Sequence, residues 1–206
     1  WLIRLSFKNG ASSGDGGCLW VDGPAQTYVY DVDFDSCSAR WGGAIYVASA
    51  ANVEMNEVDV TGSSAEYGGA VWVYGGALFA SYCSFNGNSA TEDGGGLYIE
   101  DETNNPATLY LYDSTVNNNA ATFGAGIWVD DNSFVTITCC FVQSNTAAER
   151  KNQGEGFESG KAKGSGPGAG VFGNVISGNT PTDYDGSYPV YTNRPPRPPL
   201  PPPAPP

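Results

Sequence analysis

The feature that most constrains this chain is a short block that recurs along it: two small residues, one more small residue, then an aliphatic–aromatic–aliphatic triplet. "WGGAIYV" and "YGGAVWV" are two of the copies, and the last copy, "PGAGVFG", is degraded. The blocks begin at Gly16, Gly42, Gly68, Gly94, Gly124 and Gly168, so that successive spacings are 26, 26, 26, 30 and 44 residues. A repeat of this length is typical of solenoids, in which each unit packs only against its neighbours.

A second landmark stands at the far end of each repeat. An apolar residue leads it, and three positions later come Cys37, Ser63, Asn88, Asn119, Asn145 or Asn179. Asparagine tolerates a left-handed backbone and carries both amide donors and an acceptor. The pattern therefore predicts a structural asparagine ladder at Asn88, Asn119, Asn145 and Asn179 that passes hydrogen bonds from coil to coil.

Between the two landmarks lie short runs of alternating apolar and polar residues, such as "TYVYDVDF" and "NVEMNEVDV". The alternation slips by one residue inside each run, which would turn every side chain over unless the chain bends there. No helical periodicity is present. These features predict an all-β, single-stranded parallel β-helix of about six coils. A leucine-rich repeat, the alternative with a similar period, lacks its L-x-x-L-x-L signature here.

The domain prediction divides the chain into three parts. Residues 1–182 form the β-helix, with 148–167 as an inserted polar loop, followed by a linker at 183–193. Residues 194–206, "RPPRPPLPPPAPP", are predicted to form a polyproline II tail. The chain opens on Trp1 within patterned sequence, which suggests a processed or excised part of something longer.

Charge and composition exclude several functions. The net charge is −13, with 9 basic and 22 acidic residues, which argues against a nucleic-acid partner. The chain has no histidine, so the commonest general base and a favoured metal ligand are missing. No apolar run is long enough to span a membrane.

The aromatic residue in the middle of each triplet is predicted to point outward, because its aliphatic neighbours point inward. The resulting stripe, which is a candidate interface or glycan contact, consists of Trp20, Tyr46, Trp72, Tyr98, Trp128 and Phe172. The alternative is that an adjoining loop or the inserted segment covers the stripe as ordinary packing.

Carboxylates also fall into outward columns. Asp31, Glu57 and Asp113 share one column, and Asp33 and Asp59 share the next. A solvated acidic face or a bridging calcium ion would explain them, although no calcium-loop motif is present. Basic residues before position 147 are few and lie near the start, so no catalytic residue, metal ligand or cofactor is predicted, with Ca²⁺ as a minor alternative.

The five cysteines indicate an oxidising compartment, but the pattern does not pair them. Cys83 and Cys140 share an inward column two coils apart, roughly 10 Å, which is too far for a disulfide and favours buried thiols. Cys139 points outward and is a candidate for an intermolecular disulfide.

The motifs at Gly42–Ile45, Gly68–Val71 and Phe85–Asn88 resemble the repeats of chlamydial polymorphic outer-membrane proteins. More broadly, they are similar to right-handed parallel β-helix proteins of the pectate-lyase-like superfamily, which implies a right-handed coil. The tail resembles hydroxyproline-rich segments of algal and plant extracellular matrix proteins. This implies hydroxylation and O-glycosylation at Pro195, Pro196, Pro198, Pro199, Pro201, Pro202, Pro203, Pro205 and Pro206.

These resemblances suggest a non-enzymatic extracellular or cell-surface glycoprotein that assembles with itself or with other subunits into a filament, flagellar hair or cell-wall coat. The first alternative is a carbohydrate-binding or adhesin module that uses the aromatic stripe. The second is a polysaccharide lyase or hydrolase.

Overall fold

The computed structural model is a parallel β-solenoid of about six coils. It describes residues 1–103, 105–130 and 132–148, together with the backbone of four short strands between residues 157 and 191. Within these residues the regular structure is all strand, and no helix is long and apolar enough to cross a membrane.

The strands follow one another in the order β1 (Leu2–Lys8), β2 (Leu19–Val21), β3 (Gln26–Asp35), β4 (Ile45–Val47), β5 (Asn52–Thr61), β6 (Ser64–Ala65), β7 (Val71–Tyr74), β8 (Ala77–Ser81), β9 (Ser84–Asn86), β10 (Ser89–Ala90), β11 (Leu97–Glu100), β12 (Thr108–Tyr112), β13 (Thr115–Asn117), β14 (Ala120–Ala121), β15 (Ile127–Val129), β16 (Phe134–Thr138), β17 (Phe141–Gln143), β18 (Thr146–Ala147), β19 (Phe157–Ser159), β20 (Gly170–Phe172), β21 (Val175–Ser177) and β22 (Val190–Tyr191).

These strands pair in parallel with the strands of the neighbouring coils and form three sheets that run along the solenoid. The first sheet has 12 strands: β1, β3, β5, β8, β9, β12, β13, β16, β17, β20, β21 and β22. The second sheet has four short strands, β6, β10, β14 and β18, and the third has six, β2, β4, β7, β11, β15 and β19. The predicted fold class is confirmed.

The core is a set of apolar columns, one residue per coil. Met55 pairs in register with Val29 on one side and Ala80 on the other, and all three side chains are buried. The aliphatic residues of the triplets, such as Ile45 and Val47, are fully buried as predicted. Each such side chain contributes about 1.5–3 kcal/mol by leaving water, so the columns together hold the coils on one another.

A corner without glycine explains the slip in alternation. The residues at the slip have a left-handed backbone, with φ between 43° and 56°: Arg4, Asp31, Glu57, Tyr82, Asp113 and Cys139. The first sheet bends at this column, so that residues on both sides of it still point into the core. The bend inferred from the sequence is confirmed.

The glycine pair forms another corner, and its two members are needed for different reasons. Gly68 has a φ of 64°, which side chains with a Cβ rarely adopt. Gly69 does not have a positive φ, but a Cβ at this residue would overlap the carbonyl oxygen of Gly95 in the next coil. The pair therefore combines a left-handed turn with close stacking of backbones.

The last coils correct the predicted boundaries. β19 lies inside the predicted loop at 148–167 and pairs with β15, so the loop prediction is wrong for residues 157–159. β22 lies in the predicted linker and pairs with β20. Asn179 and the tail at 194–206 lie outside the described residues.

Candidate functional site

The predicted aromatic stripe is mostly buried. The described stripe residues of the second to fifth coils, Tyr46, Trp72, Tyr98 and Trp128, stack in register on the outer side of the third sheet, yet only 8–9% of each is exposed. Trp20 in the first coil is 58% exposed. The prediction of an exposed stripe is therefore wrong for four members and right for Trp20.

Other aromatic rings cover the stripe. Trp41 and Tyr67 directly precede glycine pairs, and their rings lie 5.6 Å and 5.8 Å from the ring of Trp72. Tyr74 and Phe123 complete the cover. We call the stripe from Tyr46 to Trp128 with this cover the inner aromatic cluster. The alternative of ordinary packing is confirmed, with the cover supplied by residues beside the glycine corners.

Phe172 does not belong to the stripe. β20 pairs with β16 in the first sheet, which places Phe172 beside Thr138, whereas the coil neighbour of Trp128 is Glu158. The prediction for Phe172 is wrong because β20, which carries it, joins the first sheet and not the third.

A partly buried carboxyl lies at the edge of the inner aromatic cluster. Burial, and then the nearby carboxylates Asp130 and Asp101, raise the pKa of Glu100 to about 7. The indole of Trp72 partly opposes this rise in pKa. Even so, neither Trp72 Nε1 nor Glu100 Oε2 makes a hydrogen bond of good geometry within the described residues. The cluster thus presents an acidic edge.

The asparagine ladder is confirmed for its three described members. The Oδ1 atom of Asn119 accepts the backbone N–H of Asn88 at 2.9 Å, and the Oδ1 atom of Asn145 accepts that of Asn119 at 2.9 Å. The Nδ2 atom of Asn119 donates to the carbonyl oxygen of Phe85 at 3.0 Å. The amides are buried and join successive coils in the way the sequence predicts.

The start of this ladder is covalent. Cys37 occupies the ladder position of the first coil and forms a disulfide with Cys18, the third residue of the first glycine block, with their Cα atoms 5.8 Å apart. The sequence pattern does not pair these cysteines because it places them in different columns. The signal for pairing is that a glycine-block residue and a ladder residue face each other, as Gly96 and Asn119 also do.

Along the solenoid, the side chain of the third glycine-block residue becomes smaller, whereas the side chain at the ladder position becomes larger. The third block residue is Ala44, Ala70, Gly96 and Gly126 in the second to fifth coils, whereas the ladder residue is Ser63, Asn88, Asn119 and Asn145. A Cβ on Gly96 would lie 3.1 Å from Nδ2 of Asn119. The smaller block residue therefore makes room for the longer ladder amide.

Comparison with known protein families agrees with this architecture. The profile of the right-handed beta helix region matches residues 13–193. The chain belongs to the right-handed β-helix family. Comparison with curated proteins and with solved structures gives no match. The family includes enzymes, such as pectate lyases, as well as proteins that are not enzymes.

The remaining three cysteines of this β-helix are present as thiols. Cys83 and Cys140 are buried thiols, as predicted, and burial raises the pKa of each to about 12. Cys139 is half-buried at the corner column. Its predicted cross-link to another molecule stays a prediction.

The acidic columns lie where the sequence placed them. Asp31, Glu57 and Asp113 occupy the left-handed corner, while Asp33 and Asp59 are neighbours in register on the first sheet. Burial, and then Asp33, raise the pKa of Asp59. Among the described residues, no group of three or more cysteine, aspartate or glutamate side chains is arranged to hold a metal ion.

A second aromatic surface was missed by the sequence reasoning. One outward position of the first sheet carries Trp1, Tyr28, Glu54, Phe79 and Tyr110 on successive coils. We call these five residues the outer aromatic column. The alternation of apolar and polar residues predicts the strands correctly, but it does not by itself show that these outward rings lie in register on successive coils of the β-helix.

Proposed function

We propose that this β-helix is a non-catalytic structural module of an extracellular filament, flagellar hair or cell-wall coat, with its Pro-rich tail as a glycosylated rod. The observation that carries the proposal is the continuity of the stacking. Backbone pairing, the inner aromatic cluster and the asparagine ladder all run in parallel along the same axis. Such a solenoid is a stiff element suited to a repeating assembly.

The disulfide supports an extracellular location. Disulfides persist in oxidising compartments and are rare in the cytosol. Cys18 and Cys37 are joined by a covalent bond between the first glycine block and the ladder position. Such a link is useful to a protein that must persist outside the cell.

The distribution of bases is the reason for proposing a non-catalytic role. Arg4, Lys8 and Arg40, the basic side chains within residues 1–148, each form an ion pair with a carboxylate, at 3.6, 3.5 and 2.9 Å. A polysaccharide lyase needs a base that removes a proton in a cleft. None of these three ion-paired side chains is suited to that role.

Electron microscopy of the purified native protein tests the proposal. We expect regular filaments or sheets that persist in high salt, whereas dispersed monomers at all concentrations would contradict it. Mass spectrometry of the native tail tests the glycosylated rod separately, through hydroxylation and sugar additions on residues 195–206.

A carbohydrate-binding or adhesive role is a second candidate, favoured by the exposed indole of Trp20. A glycan array compares the wild type with Trp20→Ala. Loss of a glycan signal in the variant would favour this role over a purely structural one.

A polysaccharide lyase or hydrolase is a third candidate, favoured by the raised pKa of Glu100 beside Asp130 on the next coil. Turnover of neutral and acidic polysaccharides that is lost in Glu100→Gln would establish catalysis and overturn the non-catalytic proposal.

A further inference from the structure

The outer aromatic column consists of two stacked pairs of rings with a carboxylate between them. The rings of Trp1 and Tyr28 lie 4.2 Å apart with planes inclined by 15°, and those of Phe79 and Tyr110 lie 5.0 Å apart at 6°. Glu54 occupies the coil between the two pairs. Because each pair stacks along the solenoid axis, Tyr28 and Phe79 each keep one ring face directed toward the coil of Glu54.

The spacing between the two pairs, from ring to ring, matches the height of one turn of polyproline II. Tyr28 and Phe79 are two strand spacings apart, roughly 9.6 Å. A polyproline II helix rises about 9.3 Å in one turn of three residues. Rings that stand edge-on to solvent with a gap between them are suited to receiving proline rings, as in the aromatic grooves that recognise Pro-rich segments.

Charge makes the gap selective. Among the described residues of the first sheet before its left-handed corner, Glu54 is the only outward carboxyl or basic group. The other outward positions carry aromatic, hydroxyl, amide and small side chains and, at Ile3, an aliphatic one. It forms no ion pair with a base of residues 1–148, and burial raises its pKa. A carboxylate between two aromatic faces favours a cation, through both the charge and the ring quadrupoles.

The complementary charge lies in the rest of the chain. Residues 1–148 contain 17 acidic and 3 basic residues, whereas residues 149–206 contain 5 and 6, so their net charges are −14 and +1. Arg194 and Arg197 open the Pro-rich tail. The tail thus combines cations with the proline spacing that the gap fits.

The tail also starts from the same sheet. β22 ends at Tyr191, which lies five strand spacings along the first sheet from Asn56, on the strand that carries Glu54. This is roughly 24 Å. As polyproline II, the six residues to Arg197 would extend about 19 Å, and the long arginine side chain would cover the remainder.

We propose that residues 194–206 dock on the outer aromatic column of their own molecule, with Arg197 paired to Glu54 and tail prolines between Tyr28 and Phe79. Docking is intramolecular because the short connection from Tyr191 keeps the tail at a high effective concentration. The docked state is that of the unmodified chain: glycosylation of the prolines would release the tail as the rod proposed above, since a sugar does not fit between the rings. The inference does not depend on filament formation.

The test uses the full chain produced without proline modification and studied by NMR. We expect nuclear Overhauser contacts between tail prolines and the rings of Tyr28 and Phe79, unchanged on tenfold dilution. Arg197→Ala is expected to weaken these contacts at least about fivefold and to raise the pKa of Glu54, because the cation beside it is lost. Neither change is expected of a tail that acts only as a spacer.

Glu54→Gln is expected to weaken the contacts between the tail and the rings as much as Arg197→Ala does. The double variant should weaken them no further than either single variant. Glu57→Gln, which removes an exposed carboxylate at the corner of the same strand, is the matched control and should leave the contacts unchanged. Arg197→Ala lies outside the solenoid, so the test holds even if Glu54→Gln misfolds. A pKa of Glu54 that is the same in the wild type and in Arg197→Ala would overturn the proposal. Contacts that vanish on dilution would overturn the intramolecular arrangement and assign the tail to a neighbouring molecule.

Discussion

The first coil differs from the later coils at two positions, the ladder position and the aromatic stripe position. At the ladder position the later coils use buried asparagines, whereas the first coil uses the disulfide between Cys18 and Cys37. At the stripe position the second to fifth coils bury their rings under a cover of further rings, whereas Trp20 is 58% exposed and Asp15 stands in its coil at the position of Trp41 and Tyr67. The same ladder position can therefore be held through a covalent bond or through a buried amide.

The aromatic position should show the largest difference between the coils. Trp72→Ala removes a ring packed against Trp41, Tyr46, Tyr67 and Tyr98, and we expect a loss of about 3–5 kcal/mol in the free energy of unfolding. Trp20→Ala is expected to cost under about 1 kcal/mol. Urea titration of both variants makes the measurement, and equal losses would show that the cluster does not stabilise the fold.

Substitution in the asparagine ladder should cause the second largest loss of stability. Asn119→Ala leaves the N–H of Asn88 without its acceptor and the carbonyl of Phe85 without a donor, both in the core, and we expect a loss of about 2–4 kcal/mol. Asn86→Ala, at an exposed position, is the control and should cost under about 1 kcal/mol. A small loss in Asn119→Ala would mean that water replaces the amide.

Removal of the disulfide between Cys18 and Cys37 should destabilise mainly the strands next to it. It closes a loop of 19 residues, and its removal is expected to cost about 2–3 kcal/mol. The double variant Cys18→Ala, Cys37→Ser reproduces the Ala44 and Ser63 pair of the second coil. Hydrogen exchange should rise in β2 and β3 and stay unchanged in β11 to β17. Faster exchange throughout would contradict the view that the bond serves the first coil alone.

The pH dependence of stability should separate the acidic edge of the later coils from the first coil. The pKa of Glu100 is raised from 4.5 to about 7 in the folded protein, so the folded state binds more protons between these values and stability falls as pH rises through them. The expected fall is about 1 kcal/mol, reduced by the solvent that reaches the carboxyl. Thermal melts of Glu100→Gln should lose this slope, and a slope that survives would assign it to other carboxyls.

Transplanting the disulfide should have the smallest effect. Ala44 and Ser63 occupy the same two columns in the second coil as Cys18 and Cys37 in the first, with the same separation of 19 residues. The double variant Ala44→Cys, Ser63→Cys should form a disulfide without reshaping the coil, detected by thiol alkylation and mass spectrometry. We expect a net change within about 1 kcal/mol, because the bond replaces the hydrogen bond that the Ser63 hydroxyl accepts from the N–H of Cys37. Two free thiols would show that the first coil has its own geometry.

The sequence allowed prediction of whatever repeats along the axis. Spacing alone located the glycine corners, the inward columns and the ladder at Asn88, Asn119 and Asn145, because neighbouring coils place like residues in register. It did not predict contacts across a coil. The pairing of Cys18 with Cys37 and the cover of Trp72 by Trp41 depend on how corners fold the chain back, which the period does not record.

The left-handed corner is built without glycine, and this has a consequence for the outer surface. Arginine, aspartate, glutamate, tyrosine and cysteine all occupy it with nearly the same backbone angle. The bend is therefore imposed by the paired strands on either side, at a cost of about 1 kcal/mol or more for each residue. Side chains along this edge are spaced roughly 4.8 Å apart, one per coil. Substitutions at the corner can therefore change the chemical groups exposed along the edge while the path of the backbone stays the same.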